Sequence, residues 1–411
     1  MKALTAAVAL LAVFTLAICF ILIGAISEEI KARLGIDNSQ VGSLASALFL
    51  TSLVIQLFVG PLVDKVGHKA MAVAGFIAAA GAIFLLAFAA DFNTALVACG
   101  LLGVGAMCAN TVGNTLIPIV LFEGKEPARA SNFGNGFVGL AFVLTPLALV
   151  YLIQNLKVSY SAALSLLGGL VLLFAILALF PAYPRVSTGY KFSQAVRLLG
   201  EKPILVAALA LLCYIALEIS MNTWIKPLMT EMSGGSQNPE AAKHATWVLS
   251  LFGLSMAIGR FATSMIRDLT AVGTKLIAGV SLVTVAAITL MAFTHSYGLA
   301  VLAVILVGLA LAPIFPTIVG VTFSRYEPGL YGSIFGIMFA IGLLGPTTVP
   351  KIIGSLSVGG SIQKSLPIAA VMALVLCALA VLMGKTAPRK QVPGARFDSE
   401  GKAPATTPNR S

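Results

Sequence analysis

Long apolar stretches follow one another from residue 4 to residue 383, and charge falls almost only in the short gaps between them. A hydrocarbon core about 30 Å thick takes about 20 apolar residues per helical crossing. Residues 4–26, 41–62, 70–90 and 94–122 each meet that length, and further spans are read at 131–153, 159–181, 204–231, 243–264, 271–293, 297–323, 330–356 and 366–384. With 59% hydrophobic and 10% charged residues, a water-soluble globule would have a mostly apolar surface. The reading is an all-α polytopic membrane protein with twelve transmembrane helices. The first apolar run exceeds a signal-peptide core and lacks a small-residue cleavage site, so it is read as a retained helix 1.

Lysine and arginine set the expected orientation. With the N-terminus inside, one side holds Lys2, Lys65, Lys69, Lys125, Arg129, Arg185, Lys191, Arg197, Lys202, Arg267, Lys275, Arg325 and six tail residues. The other holds Lys31, Arg33, Lys157, Lys243 and Lys364. That asymmetry places both termini in the cytoplasm, of a bacterial inner membrane by expectation. The net charge of +11 follows from basic loops beside anionic lipid, and no nucleic-acid partner is implied. Cys19, Cys99, Cys108, Cys213 and Cys377 stand singly in apolar spans, with no metal-ligand or disulfide spacing.

The longest internal hydrophilic break, 182–203, divides a bundle at 1–181 from one at 204–384, and a polar tail follows at 385–411. The tail lacks periodicity and is expected to be disordered in the cytoplasm. The halves share a grammar. Glu126-Pro127, Asn132-Phe133-Gly134 and Pro146 are echoed about 200 residues later by Glu327-Pro328, Ser333-Ile334-Phe335-Gly336 and Pro346. Asp64, Gly67 and Lys69 are echoed by Asp268, Gly273 and Lys275. Such a repeat implies two pseudo-symmetric six-helix bundles with a solute site between them near the bilayer midplane.

The stretch Gly60-Pro61-Leu62-Val63-Asp64-Lys65-Val66-Gly67-His68-Lys69 resembles the loop 2–3 signature of the major facilitator superfamily. The resemblance implies that Asp64 caps a neighbouring helix end and pairs with basic groups, with Gly60, Gly67 and Lys69 part of a cytoplasmic gate. A solvated turn of mixed charge is the plain alternative.

Ionisable groups inside a membrane are costly and point to function. Tyr214, Glu218, Asn222 and Lys226 recur every four residues on helix 7, with Trp224 about one turn beyond Glu218. Hydrogen-bonding groups beside an aromatic face suit a hydroxyl-rich solute; a structural network between helices is the alternative. Lys226 also has the option of snorkelling. On helix 4, Asn110 and Asn114 lie one turn apart among glycines, as ligands or as interhelical glue. Pro313 and Pro316 of the run Pro313-Ile314-Phe315-Pro316-Thr317 free carbonyls on helix 10, giving a moving gate or a static kink. Gln56 is a lone polar group on helix 2, and Arg260 on helix 8 is read as a structural or gating partner.

Asn110-Thr111-Val112-Gly113-Asn114, Glu218 with Trp224, and the helix 10 proline run resemble the fucose–galactose–glucose:proton symporter branch and its sodium-dependent glucose transporter-like relatives. The branch carries acids in helices 1 and 4; here helix 1 has none before Glu28, and the helix 4 position is Asn110. Coupling, by H+ or Na+, therefore falls to Glu218. The expected function is a secondary active or facilitative transporter of a small polar solute, a monosaccharide first, working as a monomer by alternating access. The candidate ligands are Gln56, Asn110, Asn114, Glu218, Asn222, Trp224, Lys226 and Thr317, and the candidate gate also includes Arg260. An exporter of organic anions or amphipathic compounds using Lys226 and Lys351 is the alternative. No cofactor is called for. Neither a His-carboxylate metal cluster nor a P-loop is present to make it an enzyme or an ATP-driven pump.

Overall fold

The computed structural model describes residues 2–36, 38–184, 198, 200–234, 239–357 and 361–386. Within them the secondary structure is helical. The first half holds α1 (Lys2–Ala25), α2 (Ser27–Leu34), α3 (Asn38–Val66), α4 (His68–Ala87), α5 (Phe92–Val120), α6 (Pro127–Val150) and α7 (Tyr160–Leu177). The second holds α8 (Lys202–Met232), α9 (Pro239–Ser264), α10 (Leu269–Phe293), α11 (Tyr297–Leu311), α12 (Ile314–Phe323), α13 (Tyr331–Gly342), α14 (Val349–Ser357), α15 (Ile362–Ser365) and α16 (Pro367–Lys385). The tail beyond Thr386 and most of the 182–203 break lie outside the described residues.

Local chemistry sets the helix ends. Asp91 caps α5, its carboxylate accepting the Thr94 amide at 2.8 Å and the Thr94 hydroxyl at 3.0 Å. Those bonds hold its carboxyl below the usual range. Ser159 caps α7 in the same way, through the Ala162 amide. Gly35 ends α2 in the left-handed region at φ 64°.

Eleven helical stretches among the described residues are long and apolar enough to cross a membrane, with Pro328–Gly342 a shorter apolar one. The span read at 330–356 is present as two shorter helices with a turn between them. That crossing ends as an α-helix at Gly342, passes through a 3₁₀ turn at Gly345–Thr347 and resumes as α14. Pro346 has no amide hydrogen for the ladder, and Pro350 again interrupts it. Pro313 likewise divides α11 from α12.

The first-half helices pack among themselves, as do those of the second half; the two sets meet where α3 lies on α13 and α6 on α9, α10 and α12. Glycine allows the closest approach. A Cβ on Gly60 would lie 2.3 Å from the Gly332 carbonyl oxygen, and one on Gly320 would lie 2.2 Å from the Ala128 Cα. These seams close one end of the molecule, here called the Asp64 face. Contact is looser elsewhere: a Cβ on Gly24 or Gly42 would meet nothing within 4 Å, and Phe49 of α3 is 44% exposed.

Candidate functional site

Glu218 and Arg260 join at mid-depth. The guanidinium Nη2 of Arg260 lies 3.4 Å from Glu218 Oε1 and donates to the Tyr214 hydroxyl at 3.2 Å. Its Nε donates to the Ala312 carbonyl at 3.4 Å, and its Nη1 reaches across to the Asn135 carbonyl of α6 at 3.3 Å. The Arg260 side chain is only 6% exposed, whereas Glu218 keeps 21%. Arg260 starts near the end of α9 yet extends to the level of Glu218, so one cation is shared by both halves.

On the opposing wall an amide ladder faces this pair. Asn135 Nδ2 donates to Asn114 Oδ1 at 3.0 Å; Asn114 Nδ2 donates to Asn110 Oδ1 at 2.8 Å and to the Asn110 carbonyl at 3.0 Å. Each of the three is buried, and Asn110 Nδ2 has no hydrogen-bond partner. Gln56 is buried beside them: its Nε2 donates to Thr111 Oγ1 at 3.4 Å and its Oε1 has no partner. Burying amide hydrogen-bonding capacity without partners is costly, which sets these atoms apart from the satisfied members of the ladder.

The helix 7 stripe divides by depth. Tyr214 is buried and Glu218 half-buried, while Asn222 and Lys226 are exposed. Asn222 Nδ2 donates to the Glu218 carbonyl at 2.9 Å. Trp224 is not brought to Glu218. Six residues along a helix turn it about 120° off the stripe, its Nε1 donates to the Pro350 carbonyl at 3.1 Å, and its ring packs toward Gly354. The aromatic face expected beside Glu218 is thus spent on the α8–α14 seam. The Lys351 side chain lies outside the described residues.

Thr317 sits in the closed seam rather than on a cavity wall: its hydroxyl accepts from Asn132 Nδ2 at 2.9 Å, joining α12 to α6. Pro313 lies at the α11–α12 break and Pro316 is buried inside α12.

Asp64 caps the first turn of α13. Oδ1 accepts the Gly332 amide at 2.9 Å; Oδ2 accepts the Ser333 amide at 2.7 Å and its hydroxyl at 2.6 Å. The expected pairing of Asp64 with basic neighbours is corrected here. Lys65 and Lys69 are exposed, and among the described residues neither forms an ion pair with Asp64. Free amides and the positive dipole end of α13 meet the carboxylate instead. His68 turns to Thr115, with Nε2 and Oγ1 3.0 Å apart. Gly67 holds φ 87° at the turn into α4, a left-handed backbone suited to glycine.

Asn135 went unsingled in the sequence reading. Its signal was the spacing Asn132-x-x-Asn135 in an apolar helix, the kind of feature used to select Asn110 and Asn114.

Residues 8–350 match the Major Facilitator Superfamily. The chain is a member of that superfamily. Its match to the human synaptic vesicular amine transporter is 24% identical over 337 residues, covering 80% of this chain and 62% of that protein. The human chromaffin granule amine transporter matches at 26% over 251 residues, covering 59% of this chain and 47% of that protein. The chain therefore spans less than two thirds of the length of these curated relatives. In fold, this superfamily member resembles the transporter FucP solved in the outward conformation, with TM-score 0.76 and 19% identity over 93% of this chain and 99% of that one. A second structure, of a variant of the E. coli fucose:proton symporter FucP, gives TM-score 0.72 and 20% identity over 92% and 98%. Membership and the eleven apolar helical stretches make the chain an integral multi-pass membrane protein of that superfamily.

Proposed function

We propose that this transporter moves a neutral, hydroxyl-rich solute of monosaccharide size by alternating access, with Glu218 as the coupling group. One observation carries the reading: the only mid-depth carboxylate among the described residues, Glu218, is already engaged by Arg260, and the wall opposite is made of amides. A cationic solute needs an unengaged carboxylate, and an anionic one an unengaged cation. Amides supply paired donors and acceptors with no net charge, which is what hydroxyls require. Asn110, Asn114, Gln56 and, added from the geometry, Asn135 are the proposed ligands, with Asn222 nearer the open end. Proton uptake at Glu218 would loosen Arg260, whose contact with Asn135 spans the halves. Sodium at the same carboxylate is the other coupling option.

The charge bias supports a cytoplasmic Asp64 face and an outward-open conformation, with both termini on the cytoplasmic side of a bacterial inner membrane. Surrounding lipid and a monomeric state complete the proposal. The cap of Asp64 on α13 and the glycine contact of Gly60 act as its inner gate, which Arg260, Pro313 and Pro316 articulate.

The amine transporters' similarity favours a second reading, an organic amine whose ammonium replaces Arg260 at Glu218. An organic anion held by exposed Lys226 is a weaker third. Uptake into proteoliposomes separates them: hexoses, monoamines and organic anions are each offered with a proton gradient, a sodium gradient or neither. Sugar uptake is expected to respond to an ion gradient and resist amine competition. Saturable monoamine uptake with no sugar uptake would replace the first reading by the second.

A further inference from the structure

The link between α5 and α6 is left-handed. Phe122 (φ 49°, ψ 36°), Glu123 (φ 59°, ψ 19°) and Gly124 (φ 72°) take that region in succession. Glycine does so freely, but a Cβ there crowds the following carbonyl oxygen, so Phe122 and Glu123 are held against their preference. The Glu123–Lys125 ion pair, with both side chains 77% exposed, does little to offset this.

Two paths tie the turn to the second half. The Arg129 guanidinium stacks over Phe122, its Cζ 4.2 Å from the ring centroid, and its Nε donates to the Ser264 carbonyl at 2.7 Å. Ser264 is the last residue of α9, where the final carbonyls lack partners within the helix, so the cation also meets the negative end of the helix dipole. The other path runs through rings. Phe122 lies edge-on to Phe133 at 6.3 Å, and Phe133 edge-on to Phe261 of α9 at 5.9 Å. Both paths cross the seam and end on α9. A strained turn persists only where its surroundings over-determine it, and part of these surroundings belongs to the other half.

We propose that residues 122–124 act as a spring: strain loaded into the turn while the Asp64 face is closed is released when α9 withdraws, and this sets the balance between closed and open faces. The inference rests on the alternating-access reading but not on the solute.

The test reads hydrogen exchange at the Gly332 and Ser333 amides, which Asp64 holds at the α3–α13 seam, in the purified full chain in detergent. Exchange there scales with the open population and so reports shifts in either direction. Glu123→Gly removes strain and is expected to slow it about tenfold, the weight of one left-handed residue with a side chain. Gly124→Ala adds a third strained residue, its Cβ 3.2 Å from the Ile119 carbonyl oxygen, and is expected to quicken exchange by a similar factor. Glu123→Gln removes the charge and keeps the strain, so native exchange is expected. Equal rates in Glu123→Gly and Glu123→Gln, or changes confined to residues 119–126, would overturn the spring and leave alternating access in place. Exchange at Gly332 and Ser333 as slow as in the buried middle of α5, in every one of these chains, would show a face that does not open and would overturn both.

Discussion

Arg260 donates its Nε hydrogen to the carbonyl of Ala312, and Pro316 is what leaves that carbonyl free. In an unbroken helix the amide of residue 316 would bond to it; proline has no such hydrogen. A sequence-level break in α12 thereby becomes an acceptor for a buried cation. Removing the guanidinium should leave Glu218 uncompensated at a cost of about 3–5 kcal/mol. The double change Arg260→Met with Glu218→Gln removes both charges and should recover much of that loss. Thermal unfolding of the single and double variants in detergent checks the coupling; equal losses would show that the pair acts independently.

Glu218→Gln keeps the size of the side chain and removes its titration. Accumulation driven by an inward proton gradient should fall to the level without a gradient, while counterflow exchange continues. Counterflow and gradient-driven uptake, measured in the same proteoliposomes, separate the two. A pH dependence identical to that of the native chain would take the coupling role away from Glu218.

Asn114 and Trp224 should behave oppositely. Asn114→Ala cuts the ladder between Asn110 and Asn135, so solute affinity should drop about tenfold, near the value of a lost hydrogen bond or two. Trp224→Ala empties the α8–α14 seam and should lower the unfolding temperature with affinity near native. Binding isotherms and melting curves for both variants decide the matter.

Gly60→Ala places a methyl group against the backbone of α13, where no side chain is present to rotate away. The Asp64 face should be forced apart. Spin labels at the exposed Lys69 and Glu327 should report a longer distance distribution than in the native chain. Gly42→Ala, whose Cβ meets nothing within 4 Å, is the matched control and should leave the distances unchanged.

The helical class was legible because lipid imposes a length and polarity rule on every crossing, and the superfamily because the stretch Gly60 to Lys69 resembles its loop 2–3 signature. The division at 182–203 and the fate of 385–411 fall mostly outside the described residues. Charge pairing was harder to read. Arg260 and Glu218 lie 42 residues apart, and only packing of α9 on α8 joins them. Asp64 looked partnered by Lys65 and Lys69 because they are near in sequence, yet its acceptors were filled by amides 268 and 269 residues away. Trp224 was misjudged for an angular reason: one turn outward is not the same face when the spacing is six. Where periodicity was used with its phase, as for Asn110 and Asn114, the side chains do lie together.

The second-half segments that seal the Asp64 face, α12 and α13, are both short and bounded by breaks, at Pro313 and at Gly345–Thr347. Each meets the rest of its crossing at a proline- or glycine-bearing interruption of the hydrogen-bond ladder. Under the proposed alternating access, these interruptions are where two stubs about ten residues long pivot as the seam parts. The six-helix lobe need not move as one solid.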